Sequence, residues 1–256
     1  MEAILKNSAR DNCSAMRNPI NDNFDWSFLY QRYDNTCRRF DPTSPYLYDI
    51  TEKPKNDRYL YNSLVYKVNN ERTMKGYIGL GTYEAILYWK LYSQPAATQN
   101  VCAKLRNDEH KQRTIDTALI GLGAQLPLKV TEDIYSIIIL YDLLDAYGPQ
   151  LYGLMNPCAL PARTTLLHFL YPNVVPLFDK QVLLAVGVNE KNANRRRDCL
   201  YQYIQFAWRE SKKSNIPKDW QESPLRLFDM ALWVTRGQTT TNCERKKNEA
   251  ATYRNH

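Results

Sequence analysis

Apolar residues recur at helical spacing from about residue 59 to about residue 236. The pattern predicts helices over residues 59–68, 83–92, 109–122, 132–147, 162–171, 180–186, 198–211 and 224–236. No alternation typical of strands and turns competes with these helices. We therefore expect an all-α fold, built either as one helical bundle or as two helical lobes around a cleft.

Several of the predicted helices carry boundary residues of the expected kind. Thr131 can cap the helix over 132–147, and the Gly-Pro pair that follows it ends the helix. Ser223 and Pro224 occupy the cap and first-turn positions of the last helix, and Gly237 ends it.

Composition divides the chain into three parts. Prolines and polar residues dominate residues 1–56, which we interpret as an irregular, partly helical lead-in. Residues 57–237 form the predicted helical domain. Residues 238–256 contain too little apolar surface to order themselves, and we expect a flexible basic tail.

Several classes of protein are disfavoured by the sequence. The longest apolar run, residues 134–144, is too short to cross a bilayer, and the first residues lack the pattern of a signal peptide. The six cysteines are scattered and only three histidines are present, so no zinc or redox motif is formed. We expect a cytoplasmic protein with reduced thiols, no metal and no cofactor.

Positive charge is concentrated near the C-terminus. Residues 189–256 contain 14 Lys and Arg against 8 Asp and Glu, whereas the preceding residues are nearly balanced at 20 against 19. A basic region of this kind is typical of a surface that binds nucleic-acid phosphates, although a solvated face with a basic tail explains it equally well.

The most informative stretch is residues 160–188. A helix is predicted to end near Tyr171-Pro172, and an extended link follows through Pro176. Asp179 then stands at the start of the next helix, which ends near Gly187. The sequence therefore predicts a carboxylate at a helix N-terminus.

This stretch resembles the helix-hairpin-helix DNA glycosylase superfamily, in particular its 8-oxoguanine glycosylase-like branch. Those enzymes join a hairpin and a helix through a Val-Pro-Val-Asp-like link to a second helix that opens with the catalytic aspartate. Here Val-Pro-Leu-Phe-Asp-Lys-Gln-Val over residues 175–182 matches the Pro, the Asp and the following Val, with one extra residue between Pro and Asp. The match covers about thirty residues, and its hairpin, residues 156–162, lacks the family's glycines.

The resemblance implies that the protein flips a modified base out of double-stranded DNA and hydrolyses its N-glycosidic bond, with Asp179 as the catalytic residue. The family's bifunctional members carry a nucleophilic lysine just after the hairpin, where this chain has Arg163 and Thr164. Because arginine forms no Schiff base, the implied enzyme is monofunctional unless Lys180 or another lysine substitutes. We expect a monomer that acts in base-excision repair or in antiviral defence against modified foreign DNA.

We expect the DNA phosphates to be contacted by Arg163, Thr164, Lys180 and the run Arg195, Arg196 and Arg197. The pocket for the flipped base would be lined by aromatic residues. The candidates are Tyr59, Tyr61, Tyr83, Tyr88 and Trp89, and helical core packing explains their spacing as well.

Each of these assignments has a structural alternative. Aspartate is a preferred helix cap, which by itself accounts for Asp179. His168 lies on an apolar helix, where a core role is favoured over a catalytic one. The alternative function is therefore a non-catalytic helical module that binds nucleic acid or protein.

Overall fold

The computed structural model describes residues 16–20, 22–36, 41–50 and 53–236. Its helices are α1 (Leu29–Thr36), α2 (Asp57–Lys75), α3 (Leu80–Leu91), α4 (Pro95–Thr98), α5 (Lys104–Arg106), α6 (Glu109–Gln125), α7 (Ile134–Tyr147), α8 (Leu160–Leu170), α9 (Lys180–Ala185), α10 (Arg197–Lys213) and α11 (224–236). Strands are absent from these ranges, so the predicted all-α class is confirmed.

All eight predicted helices are present, with shifted ends. The largest shift is in α2, which continues past residue 68 to Lys75, where Gly76 adopts a φ of 81°. This last part of α2 is polar, so the apolar pattern did not predict it. Arg72 anchors it to the rest of the fold. The Arg72 guanidinium is buried and donates hydrogen bonds to the carbonyls of Leu170 and Pro127, each at 2.7 Å.

The predicted cap of α7 was wrong. Asp133, not Thr131, is the N-cap, and its carboxylate accepts a hydrogen bond from the backbone N–H of Ser136 at 2.9 Å. For the last helix the predicted cap is confirmed, because the Ser223 hydroxyl oxygen accepts from the N–H of Arg226 at 3.2 Å. Gly237 and the predicted tail, residues 238–256, lie outside the described residues.

The centre of the fold is formed by α2, α3 and α8, which pack against one another. In α3, every residue from Gly81 to Trp89 is buried, and in α8 every residue from Arg163 to Leu170 is buried. Helices that are apolar on all faces belong in the interior of a domain. The buried side chains of the described ranges form one connected cluster, so the helices share a core.

The lead-in is attached to this core. Leu29 and Tyr33 of α1 and Leu47 of the 3₁₀ turn Pro45–Leu47 are buried in the same cluster. The sequence pattern also missed a helical run between α3 and α6, in which the π-helical segment Gln99–Ala103 joins α4 to α5. None of the helices in the described ranges is long and apolar enough to span a bilayer.

Gly123 is a point of close approach between α6 and the turn that joins α2 to α3. A Cβ atom at this position would lie 2.4 Å from the Cβ of Tyr77 and 2.8 Å from the carbonyl oxygen of Gly76. Backbone atoms cannot move away as a flexible side chain can, so only glycine fits here.

We predict that Gly123→Ala destabilises the fold by about 1–3 kcal/mol, because the overlap outweighs the higher helix propensity of alanine. Urea unfolding followed by circular dichroism would measure it. Asp116→Ala, at an exposed position of the same helix, is the control and should change stability by less than about 0.5 kcal/mol. A Gly123→Ala protein more stable than the wild type would contradict the predicted overlap.

Candidate functional site

Asp179 is the N-cap of α9. One oxygen of its carboxylate, Oδ1, accepts hydrogen bonds from the N–H groups of Gln181 and Val182, at 2.7 and 3.1 Å. The side chain keeps 27% of its surface exposed. These bonds confirm that Asp179 caps the helix. Capping uses only Oδ1, so the second carboxylate oxygen, Oδ2, can contact another group.

That other group is Lys90, near the end of α3. Its Nζ lies 3.1 Å from Oδ2 of Asp179, and the lysine side chain is 16% exposed. Burial on its own raises the pKa of Asp179. The charge of Lys90 and the hydrogen bonds from Val182, Lys90 and Gln181 outweigh it and hold the pKa below the ordinary value for aspartate. Asp179 is therefore an anion across the neutral pH range.

A second, buried ion-pair cluster is centred on Arg226 of α11. Arg226 is 1% exposed, and it pairs with Asp229 of its own helix and with Asp57 of α2 at 3.3 Å. The Asp57 carboxylate is also bonded to the hydroxyls of Tyr33 and Tyr92, each at 2.9 Å. These contacts compensate the buried charges, as a buried ion pair requires.

Asp229 is the buried partner of Arg226 within its own helix. Burial raises its pKa to about 6, with Arg226 and Lys90 lowering it and the charge of Asp179 raising it further. The pKa of Tyr203 is raised well above its ordinary value. Burial is the largest cause, and the charges of Asp229 and Asp179 add to it.

Aromatic rings enclose the guanidinium of Arg226. It lies 4.6 Å from the ring centroid of Tyr61 and 5.4 Å from that of Trp89. Three buried donors of this region, the Tyr203 hydroxyl, the Trp89 Nε1 and the Arg226 Nε, have no hydrogen-bond partner within the described residues. Unpaired buried donors are uncommon, and here they lie close to two carboxylates.

His168 belongs to the core that supports the site. It is fully buried, with Nδ1 2.6 Å from the carbonyl oxygen of Val175 and Nε2 2.7 Å from the hydroxyl of Tyr61. A carbonyl only accepts, so Nδ1 carries the hydrogen and Nε2 accepts from Tyr61. Burial lowers the pKa of His168 to about 3, which keeps the ring neutral, and the interpretation as a core residue agrees with this placement.

Two predicted phosphate contacts are at odds with the structure. Arg163 is 1% exposed, donates to the carbonyl of Leu154 at 3.0 Å and pairs with Asp145. Thr164 is fully buried and its hydroxyl is bonded to that of Tyr141. Neither side chain reaches solvent, because the first turns of α8 point into the core and not towards the surface.

The other predicted basic residues divide into two kinds. Lys180 and Arg195 are exposed. Arg196 pairs with Glu190 and Asp198, and Arg197 pairs with Asp145 and, at 3.5 Å, with Asp142. Acidic residues of this chain therefore already neutralise two of the three arginines.

Of the candidate pocket residues, Tyr61, Tyr83, Tyr88 and Trp89 are buried in the core and Tyr59 is exposed on α2. A cavity elsewhere in the fold is lined by residues of α2, α6 and α8 such as Arg72, Leu119 and Leu166, and does not include Asp179. In the part of the chain that the structure describes, no three His, Cys, Asp or Glu side chains are grouped so as to hold a metal ion.

Sequence reasoning missed Lys90, Arg226 and Asp229. A signal was available for the last two, because a pair of opposite charges at spacing i, i+3 interrupts a helix that is otherwise apolar. For Lys90 the signal is weaker, since a lysine at the end of an apolar helix is ordinary. Only the packing of α3 against the start of α9 brings it to Asp179.

Comparisons with protein-family models, with curated proteins and with solved structures gave no significant match to this chain. The function of this chain must therefore be inferred from its own residues, above all those around Asp179.

We predict that neutral His168 makes stability depend on pH. The folded pKa of about 3 lies below the ordinary 6.5, so the unfolded chain binds the extra proton between these values. The contribution of His168 is complete above pH 6.5 and is lost as the pH falls towards 3. The stability difference between wild type and His168→Gln should therefore grow with pH across this window, by up to about 1.4 kcal/mol per pH unit.

Urea unfolding at a series of pH values would measure this difference. His110→Gln, at an exposed position on α6, is the control, and its curve should run parallel to that of the wild type. A constant difference between wild type and His168→Gln would show that His168 takes up its proton equally well in both states.

Proposed function

We propose that the protein is a DNA glycosylase that hydrolyses the N-glycosidic bond of a modified base flipped from double-stranded DNA, with Asp179 as its catalytic carboxylate. The observation that carries the proposal is the state of Asp179. It is an anion at neutral pH, partly exposed, and fixed in orientation by two backbone N–H groups. The resemblance of residues 175–182 to the catalytic link of helix-hairpin-helix glycosylases adds to it.

The chemistry requires a fixed negative charge. The bond between C1′ of the sugar and the base nitrogen breaks, the base leaves with the electron pair, and positive charge develops on the sugar. A carboxylate that is already ionised and oriented stabilises this charge without reorganising during the reaction. Water then adds to C1′ and loses a proton, which gives an abasic site. Because the sugar cation is very reactive, the weak basicity of Asp179 suffices for this step.

Lys90 has two consequences for this mechanism. Its ammonium keeps Asp179 ionised, and it also neutralises the charge that the sugar cation would meet. We propose that Lys90 turns towards a DNA phosphate when substrate binds, which leaves the carboxylate to the sugar. Solvent reaches both side chains, so the pair can open without disturbing the core.

The same lysine provides the strongest ground for a second activity. An amine next to the reacting sugar could attack C1′ of the abasic product, lose water as an imine forms, and allow strand cleavage. Arg163 cannot serve in this way, since it is buried and its guanidinium stays protonated. Paired with Asp179 in the free protein, or with a phosphate when substrate is bound, Lys90 is a cation and no nucleophile, so we propose the monofunctional reaction as the main one.

For the DNA contacts we propose Lys180 and Arg195, the exposed members of the predicted set. Lys180 follows Asp179 directly in the chain, and Arg195 lies just before α10. Arg196 and Arg197 have internal partners and act as supports for the start of α10.

Base release tests the proposal most directly. We expect the wild type to form abasic sites in at least one of a panel of duplexes that carry oxidised, alkylated, deaminated or hypermodified bases. Asp179→Asn should lose base release by about 100-fold or more, because it removes a charge that acts in the transition state. Its stability should change by less than about 1 kcal/mol, since asparagine caps helices equally well and the ion pair is partly exposed.

Asp133→Asn is the matched control. Asp133 is also an N-cap that accepts from backbone N–H groups, but it belongs to α7, and its substitution should leave base release unchanged. Full activity in Asp179→Asn would show that Asp179 acts only as a helix cap. Absence of base release from every duplex, with DNA binding retained, would favour the non-catalytic module. A borohydride trap of the abasic product with wild type and Lys90→Met would detect an imine.

The salt dependence of DNA affinity tests whether the exposed Arg195 contacts a phosphate. Arg195→Gln should reduce the slope of log affinity against log salt by about 1, as expected when one phosphate contact is lost. Arg113→Gln, an exposed arginine on α6 at a distance from this region in sequence, is the control and should leave the slope unchanged. Fluorescence anisotropy with a labelled duplex would measure both. An unchanged slope in Arg195→Gln would contradict the proposed phosphate contact.

A further inference from the structure

Glu84 is a buried acid that the proposed reaction does not use. It lies in the middle of α3, it is 4% exposed, and its Oε1 has no hydrogen-bond partner within the described residues. An ionised carboxylate in such a position loses its hydration without gaining a compensating contact. The protonated form is neutral and loses much less, so the surroundings of Glu84 favour a proton on its carboxyl.

Residues 41–50 of the lead-in, which we call the cover segment, are attached to α3 one turn after Glu84. The attachment is made by Tyr88. Its ring centroid lies 5.5 Å from that of Tyr46, and its hydroxyl oxygen accepts a hydrogen bond from the N–H of Asp41 at 3.2 Å. The cover segment is therefore held against the helix on one side of Glu84.

The cover segment meets α3 again one turn before Glu84. A Cβ atom at Gly81 would lie 2.8 Å from the hydroxyl oxygen of Tyr48 and 2.7 Å from a carboxylate oxygen of Asp49. Positions 81, 84 and 88 follow one another at spacings of three and four residues, so they share one face of the helix. Glu84 therefore lies between the two places where the cover segment contacts this face.

The surroundings of Glu84 offer little compensation for a negative charge. The titratable and charged groups around it are Tyr46, Tyr48 and Asp49 of the cover segment, Tyr88 of α3, Cys102 of the π-helical segment and Arg106 of α5. Burial, and then the charge of Glu84, raise the pKa of Cys102 to about 12, so it stays a neutral thiol. Burial raises the pKa of Glu84 to about 7, and the charge of Arg106 opposes this shift only in part.

Each of the other long helices packed on α3 carries a cation that has a carboxylate partner of its own. These pairs are Lys67 of α2 with Asp49, Lys111 of α6 with Asp108, and Arg163 of α8 with Asp145. The short α4 contains no titratable residue. The cation that acts on Glu84 is thus Arg106, which lies over the ring of Tyr48 at 5.0 Å from its centroid.

We propose that Glu84 is a proton-controlled lock on the cover segment: docking of residues 41–50 on α3 is strongest while the carboxyl is neutral, and it weakens when the carboxyl loses its proton. When the segment moves away, water reaches the carboxylate, so the released arrangement favours the ionised form. One proton passes to solvent and no covalent bond of the chain changes. The inference does not depend on the proposed function.

The pH range of the lock follows from the two states of Glu84. In the docked arrangement burial holds its pKa at about 7, and in the released one the pKa returns towards the ordinary value of 4.5. Between these values the released form has lost a proton that the docked form still holds. Docking is therefore strongest below about pH 4.5, weakens as the pH rises towards 7, and stays constant above that.

Hydrogen exchange of the cover segment, measured in the full chain by mass spectrometry, tests the lock. After correction for the intrinsic effect of pH on exchange, protection of residues 41–50 in the wild type should fall by about tenfold or more from about pH 5 to about pH 7.5. In Glu84→Gln, which has no titratable carboxyl, protection should stay constant over this range. Glu109→Gln, at an exposed position on α6, is the control and should follow the wild type.

Three results would overturn the inference. The first is a wild type whose cover segment exchanges alike at both pH values, and the second is a Glu84→Gln protein that loses protection as the wild type does. Glu84→Met, of similar length and apolar, repeats this comparison if the glutamine amide prevents folding. The third is an equal loss of protection in α8, which would show that the whole fold opens and that the change is not confined to the cover segment.

Discussion

The buried guanidinium of Arg226 is the interaction on which the rest of the structure depends. Its partners come from three separate parts of the chain, with Tyr33 on α1, Asp57 on α2 and Asp229 on α11. An arginine in the interior is tolerated only where its charge is paired and its donors are largely used. The positions of three helices are therefore fixed by a requirement of charge, in addition to the burial of apolar surface.

This arrangement also explains how one residue can serve the fold and the proposed chemistry together. A helix cap uses one oxygen of a carboxylate, and Asp179 leaves the other to a cation at a partly exposed position. The cap orients the Asp179 carboxylate, and the charge of Lys90 keeps it ionised. The buried ion pairs of Arg226 make the core of this region rigid and polar. Neutral His168 supports that core through its hydrogen bond to Tyr61 without adding a charge.

Much of the fold could be predicted from the sequence because apolar periodicity and boundary residues are local. Ser223 and the eight helices belong to this class. The cap at Asp133 was misassigned because Thr131 and Asp133 are both good caps two residues apart, and only the path of the backbone decides between them. At the candidate site, the N-cap position of Asp179 could be predicted, because it follows from the local motif.

The rest of the site depends on tertiary packing. Lys90 reaches Asp179, and Arg226 reaches Asp57, from helices distant in sequence, which no local pattern encodes. Arg163 shows the opposite error. Its motif position indicated a surface contact, whereas Asp145 and the carbonyl of Leu154 provide partners that allow it to be buried.

The bonds that join the lead-in to the last helices have a consequence for synthesis. Tyr33 and Arg226 are 193 residues apart, and Asn18 and Glu210 are 192 apart. On the ribosome, α1 can meet the start of α2 early, through the bonds of Asp34 to Asn56 and Arg58, but its contact with Arg226 forms only when α11 has emerged. The docking of α1 is therefore completed late, and until then the part of its surface that meets α11 has no partner.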